Sequence, residues 1–322
     1  MEQQSTREIS ERPENYLGPD LNPEGLILKP QELAPGVYAL MANIMPKDNN
    51  GVIIGEHGVL VIDAGVNGTI SQQIQQHIRE LTDKPLRYLV NTTYHGDHTF
   101  GNAAFPEQVT IISSRQNKQS MHDLAYEKQM RSGNLRGNVA AVADVTTWRR
   151  PDVTFERFCE VDLGNKIVQL WHFGPGNAPG DTIVYVPDAK IAWTGNFLMR
   201  AGICHMLLEG GPVPYIKTLQ AMKATLDVKT IVPGHGPMGE GPAALDALIG
   251  YLEELDQRVR ADIDAGMSLE AILASYPCPQ NLVLPTQLPF AAALNPLNQQ
   301  LHRLNILAVY REVKGKSSTA AR

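Results

Sequence analysis

From Gly36 onward the apolar positions fall into short runs: GVYALMA, NNGVIIG and GVLVIDAG read as three strands of a β-meander ending at Asp63, with Asn50-Gly51 and His57-Gly58 as turn signals. The period then changes. Ile70, Ile74, Ile78 and Leu81 recur at helical spacing inside GTISQQIQQHIRELTDK, and Lys84-Pro85 closes that helix. LRYLV and VTIISS read as further strands, and RQNKQSMHDLAYEKQM as one helix. From Val153 the strand pattern returns in VTFERFCEVDL, NKIVQLWHFG, DTIVYVPDAK and IAWTGN, joined by turns containing Asp, Gly and Pro. YIKTLQAMKATL is helical, TIVPGHG is a buried strand ending in a loop, ALDALIGYLEELDQRVRADIDAG is a long amphipathic helix with a Gly stop, and LNQQLHRLNILAVYREVKG is a last helix.

Two β-rich halves, each carrying helices, predict an α/β sandwich with sheets inside and helices outside. Residues 1–35 are polar and contain several prolines, so they are expected to form an N-terminal arm on the surface or in contact with a second subunit. Residues 36–322 would then form one domain, C-terminal helices included. A chain of 322 residues with 43% hydrophobic content can bury a large core.

Charge narrows the class of partner. The formal net charge is -6 and no Lys or Arg run is present, which argues against a nucleic-acid surface. The first twenty residues have no apolar segment, and no later stretch is apolar for long enough to span a bilayer, so neither a secretory signal nor a membrane anchor is expected. Cys159, Cys204 and Cys278 are odd in number and form no CxxC pair, which fits free thiols in a reducing cytoplasm.

The candidate chemistry lies in VNTTYHGDHTFGN, where His95, Asp97 and His98 crowd into four residues after an apolar run. Four more loops follow strand-like runs: VIDAG with Asp63, GPGNAPGD with Asn177 to Asp181, WTGNFL with Asn196, and VPGHGP with His235. A rigid sheet can hold groups on such loops in register. His57, His77, His172 and His302 stand outside these loops and read as ordinary surface or core histidines.

In this order, the five loops resemble the motifs of the metallo-β-lactamase superfamily, and the resemblance runs from Gly36 to the C-terminal helix. It implies a four-layer αβ/βα sandwich with two mixed β-sheets between helices. Two-zinc members carry HxHxDH in the second motif; here its first histidine is Thr93, and the usual third-motif histidine is Asn177. Of the first metal's three histidines only His95 is left. The second metal's set is retained in Asp97, His98 and His235, with Asn196 where the bridging aspartate usually stands. The resemblance therefore implies one zinc, held by Asp97, His98, Asn196 and His235 with room for a water. His95 beside it and Asp63 behind it are the candidate catalytic residues, His95 as proton acceptor or positioning group and Asp63 as the orienter of a ligand or loop. A dication facing a single carboxylate would leave the centre net positive.

Within the superfamily, this one-zinc pattern resembles the chlorothalonil dehalogenase family. That implies a zinc-dependent hydrolytic dehalogenase in which zinc-bound hydroxide replaces chlorine on an electron-poor aromatic ring. It also implies a homodimer, with a further structural zinc at the interface on a histidine after the second motif, for which His122 is the candidate. An apolar halogenated aromatic needs an apolar pocket, and Tyr94, Phe100, Trp193, Phe197, Met199 and Met206 lie in or next to the motif loops. Two other functions stay open: a one-zinc hydrolase of an ester, lactone or lactam, and a binding protein that kept the fold without turnover.

Overall fold

The computed structural model describes residues 18–207 and 211–320, with side chains as far as residue 315. One sheet takes β1 (Leu28–Ala34), β2 (Val37–Ala42), β3 (Asn50–Gly55), β4 (Gly58–Ile62), β5 (Leu86–Val90), β6 (Thr110–Ser114) and β7 (Val153–Phe155) in that spatial order. Its first four strands are antiparallel, and β4 to β7 run parallel. The other sheet takes β8 (Phe158–Asp162), β9 (Ile167–Trp171), β10 (Ile183–Val186), β11 (Ile191–Gly195), β12 (Thr230–Pro233) and β13 (Gly239–Glu240) from edge to edge. Only β11 and β12 are parallel there. The helices are α1 (Gly68–Leu81), α2 (Gly96–Thr99), α3 (Arg115–Ser120), α4 (Leu124–Ser132), α5 (Pro212–Thr225), α6 (Gly241–Asp264), α7 (Leu269–Ser275) and α8 (Ala291–Ala320).

Side-chain alternation assigns the layers, because successive residues of a strand face opposite sides of the sheet. Leu60 and Ile62 of β4 join Val184, Val186 and Val232 in a core between the two sheets. Their neighbours Val59 and Val61 face outward onto Ile70, Ile74 and Ile78 of α1. On the second sheet Ile183 and Tyr185 face α5, α6 and α8. Both faces of each central strand are therefore covered, which is why β4 and β10 read as unbroken apolar runs. Each fully buried Val, Leu or Ile contributes about 1.5–3 kcal/mol. The result is the four-layer αβ/βα sandwich with two mixed sheets inside.

Several local expectations change. Asn50-Gly51 is not a turn but the start of β3, where Gly51 lies so close to the Trp193 ring that a side chain would strike it. The segment Arg115 to Met130 is two helices rather than one. Asp123 breaks it by capping the second, its side chain accepting from the Tyr126 N–H at 2.9 Å. VTFERFCEVDL likewise divides at Glu156-Arg157 into β7 and β8, which belong to different sheets. Of the expected arm, residues 1–17 lie outside the described residues. Leu28–Ala34 is a strand paired with β2, and Leu21, Leu26 and Leu28 are buried. No helix among the described residues is long and apolar enough to cross a membrane.

Candidate metal centre

The strand ends bring the motif residues to one edge of the sandwich. Asp63 directly follows β4 and sits in the left-handed region, with φ of 61°. That backbone strain is tolerated because its carboxylate is fully used. It accepts from the Thr92 N–H at 2.8 Å, from the Thr92 hydroxyl at 2.6 Å and from His98 Nδ1 at 2.9 Å. His98 and Asp97 stand on the four-residue α2, Asn196 follows β11 and His235 follows β12. Gly234 lets that last loop close in: a Cβ there would lie 2.7 Å from the His98 ring.

The hydrogen bonds settle which nitrogens face inward. His98 gives its Nδ1 proton to the Asp63 carboxylate, and His235 gives its own to the Pro46 carbonyl at 2.9 Å. In its neutral form each ring therefore turns an unprotonated Nε2 toward the centre. His98 Nε2 lies 3.2 Å from Asp97 Oδ2 and 3.3 Å from Asn196 Oδ1, and His235 Nε2 lies 3.3 Å from Asp97 Oδ2. Asp97 Oδ2 has no hydrogen-bond partner and is buried. Acceptors that converge without protons between them are what a cation stabilises, so the donor set fits a divalent metal.

The electrostatics agree. Burial opposes ionisation of Asp97, but His98, His235 and Arg131 outweigh it and hold the carboxyl well below the ordinary carboxylate range. Burial would also lower His98, yet the carboxylates of Asp63 and Asp97 raise its imidazole well above the usual value.

Sequence reasoning missed two charged residues here. Asp48, in the connector between β2 and β3, is buried and lies with Asp97, His98 and His235 in a group whose ligand atoms are all within 4.8 Å of one another. Burial raises its carboxyl to about 7, and Asp97 adds to the rise against the opposing pull of His235. Asp48 thus places a second carboxyl group beside the cluster, where the sequence reading expected Asp97 alone. The other is Arg131 on α4, which reaches Asp97 Oδ1 at 3.3 Å and Glu127 at 2.9 Å. Glu127 in turn accepts from the Gly96 N–H at 2.8 Å, tying α4 to the start of α2.

His95 does not join the converging nitrogens. Its Nδ1 accepts from the Asn196 amide at 2.9 Å, and its ring meets Tyr94 edge-on with centroids 4.5 Å apart. Asn177 donates to the Met206 carbonyl at 2.8 Å. Thr93 is buried with its hydroxyl lacking a hydrogen-bond partner. His122 is exposed at the break between α3 and α4, its Nδ1 3.1 Å from the Gln119 carbonyl, and it joins no group of three metal-binding side chains among the described residues. All three cysteines are free.

A cavity opens onto the cluster, with roughly 720 Å³ of space between its walls, mouth included. His95, Asp97, Asn196 and His235 form its polar end, and Met199, Ile203, Met206, Leu294, Leu297 and Leu301 its apolar sides. Of the expected pocket residues Met199 and Met206 are wall. Phe100, Trp193 and Phe197 are core instead, and Tyr94 does not line the cavity. Two asparagines of α8 hold the wall loop: Asn298 accepts from the Cys204 N–H at 2.9 Å, and Asn305 from the Leu207 N–H at 2.8 Å.

His205, in that wall, accepts from the Met199 N–H at 2.8 Å, and burial lowers its imidazole to about 3. The folded chain thus refuses a proton that the unfolded chain accepts, so this contribution is present above about pH 6.5 and lost as pH falls toward 3. Between pH 7 and pH 5 the loss through His205 amounts to about 2 kcal/mol. Urea unfolding of the wild type and of His205→Gln at both pH values measures it, and an equal pH effect in the two proteins would refute it.

Comparison with known proteins agrees with this arrangement. The chain is 31% identical over 188 residues to the probable metallo-hydrolase YqgX of Bacillus subtilis, covering 58% of this chain and 83% of that one. It is 20% identical over 268 residues to a linear primary-alkylsulfatase of a Pseudomonas species, covering 72% of this chain and spanning only 50% of the relative's length. Among solved structures, the stereoselective inverting sec-alkylsulfatase Pisa1 from Pseudomonas sp. superposes with a TM-score of 0.65 over 89% of this chain and 50% of that one, at 16% identity. A metallo-beta-lactamase from Pontibacter korlensis superposes with a TM-score of 0.55 over 70% of this chain and 99% of that one, at 18% identity. The family model of the metallo-beta-lactamase superfamily matches residues 47–235, more than half of the chain, from the connector that carries Asp48 to the loop that ends in His235. With the four-layer sandwich and the converging acceptors at its strand ends, that match makes this chain a member of the metallo-beta-lactamase superfamily.

Proposed function

We propose that the protein is a metal-dependent hydrolase of a small apolar molecule, and that its reaction is hydrolytic dehalogenation of an electron-poor chloroaromatic of the chlorothalonil type. The observation that carries this reading is the cavity, whose sides are mostly aliphatic or thioether and whose polar end is formed by His95, Asp97, Asn196 and His235, with the buried His98 behind them. A zinc ion held by Asp97, His98, Asn196 and His235 would supply Lewis acidity and lower the pKa of a water toward neutrality. Thr93 and Asn177 offer no imidazole for a second ion in the same centre.

The chain's own residues supply the rest. Met199, Ile203, Leu294, Leu297 and Leu301 take an aromatic ring out of water and strengthen the electrostatics at the polar end. Because the Asn196 amide donates to His95 Nδ1, the neutral His95 ring carries its proton on Nε2 and acts as a donor or positioning group there. Asp63 fixes the tautomer of His98. His205 stays neutral, so that part of the wall adds no charge.

The alkylsulfatase relatives favour a second reading, hydrolysis of a sulfate ester, with Arg131 on the cavity wall as the cation its headgroup would meet. Arg131 is already shared between Asp97 and Glu127, which leaves it poorly placed to bind another anion. A homodimer with a zinc bridging His122 belongs to the dehalogenase reading and is proposed with it.

The test is a substrate panel with zinc-loaded protein. Halogenated dinitrile aromatics should release chloride in step with a hydroxylated product, with little turnover of a lactone, an alkyl sulfate or a chromogenic β-lactam. Chelation should abolish the activity and zinc should restore it. Fast lactone, lactam or sulfate hydrolysis without chloride release would overturn the dehalogenase reading and leave the metal-dependent hydrolase.

A further inference from the structure

We infer that Asp48 is a direct carboxylate donor to the metal centre, completing a set of two aspartates and two histidines with Asp97, His98 and His235. This rests on the metal-centre reading above. Three observations carry it.

The first is placement. The Asp48 carboxylate shares the 4.8 Å group with one ligand atom each from Asp97, His98 and His235, and its residue is 1% exposed. The second is lack of an adequate partner. Asp48 Oδ1 is buried with no hydrogen bond, and the nearest cationic candidate is His235 Nδ1 at 3.2 Å, whose proton goes to the Pro46 carbonyl. His98 is claimed by Asp63 and Asp97, and Arg131 by Asp97 and Glu127, so the side-chain contact left to Asp48 runs to Asp97, a carboxyl group like itself that brings no positive charge. A buried carboxylate left unpaired is expensive, and a dication at the centre of the group removes that cost.

The third is rigidity. The backbone around Asp48 is stitched to the His235 loop: Asp48 and His235 form an isolated antiparallel bridge, and the Asn49 N–H donates to the Gly234 carbonyl at 2.7 Å. The Asn49 amide also donates to the Pro233 and Gly236 carbonyls, at 2.9 and 2.8 Å. A carboxylate on so fixed a segment is preorganised toward the centre, as a ligand requires. Asp48 and Asp97 together also match the charge of one dication, whereas Asp97 with the neutral Asn196 supplies only one negative charge.

Full-length protein stripped with a chelator and titrated with zinc in competition with a chromophoric chelator tests the assignment, with cobalt(II) as a visible reporter of the donor set. Asp48→Ala should weaken zinc binding by more than the ~10–100-fold typical of residues that only orient a ligand, and should change the intensity of the cobalt spectrum. Asp48→Asn, nearly isosteric, should fold like the wild type and also bind more weakly. Zinc affinity within threefold of wild type in both variants, or weakened affinity with an unchanged cobalt spectrum, would overturn the assignment. Wild type that takes up less than one equivalent of metal would overturn the metal-centre reading itself.

Discussion

Asp97→Ala, His98→Ala and His235→Ala should each emerge from purification without stoichiometric zinc and with turnover reduced by about 10³-fold or more, the scale set by losing a Lewis acid worth several kcal/mol. Asp97 is the most sensitive of the three, because its Oδ2 lies against both inward-facing ring nitrogens. Removing it also takes one carboxylate partner from Arg131 and leaves it Glu127. His95→Ala should behave differently. Its Nδ1 faces the Asn196 amide rather than the converging acceptors, so metal should stay near one equivalent while turnover falls by about 10²–10⁴-fold, the range for a lost proton-transfer group. Elemental analysis of the four variants, paired with the chloride-release assay, reads both quantities. If His95→Ala loses zinc as readily as the other three, His95 is a ligand and the donor set is misassigned.

Asp63→Ala should be the most destabilising single change near the centre, at about 3–5 kcal/mol, because it removes one side of a buried pair whose other side remains. The carboxylate satisfies two donors of Thr92 and the ring of His98, all buried, and alanine satisfies none of them. Alanine is also poorly suited to the left-handed backbone at this position. Asp63→Asn separates the effects. Asparagine tolerates that backbone and can still accept from His98 through its amide oxygen, but its NH2 then faces the Thr92 N–H, so stability should return only in part while zinc affinity falls by about 10–100-fold as the ligand loses its charged orienter. Unfolding in urea and zinc titration of the two variants provide the check. An Asp63→Ala protein as stable as the wild type would show that the strained turn, not the carboxylate network, holds this corner.

Most of the layered fold is legible in the sequence, because strands buried on both faces leave apolar runs and α1 leaves an Ile spacing that little else would produce. Misreadings occur where a tertiary demand overrides a local signal. Asn50-Gly51 has turn chemistry, yet its glycine is needed for the close approach of Trp193. Met121-His122-Asp123 has a capping residue in view, but the apolar spacing on either side of it suggests one continuous helix. The strand Leu28–Ala34 reads as an arm because most of its length is exposed at the sheet edge.

The candidate site divides the same way. Asp63, His95, Asp97, His98, Asn196 and His235 sit on loops at strand ends, where order along the chain reveals them. Asp48 sits in Lys47-Asp48-Asn49-Asn50, which has the composition of a solvated connector but is buried, with the His235 loop bridged to it. Arg131 lies on a short helix of mixed character, and nothing local distinguishes it from a surface arginine. The aliphatic wall from α8 is further still from the motifs, and its role appears only once that helix is docked.

The stitching of the Asp48 connector to the His235 loop has a kinetic consequence. Asn49 and Gly236 are 187 residues apart, so closing the contact between them waits for nearly the whole two-sheet core. Loops of that length close late in folding, after local hairpins and helices have formed. A refolding chain would therefore acquire high metal affinity only in its last phase. Metal uptake by the refolding protein would track the docking of the two sheets rather than the formation of either one.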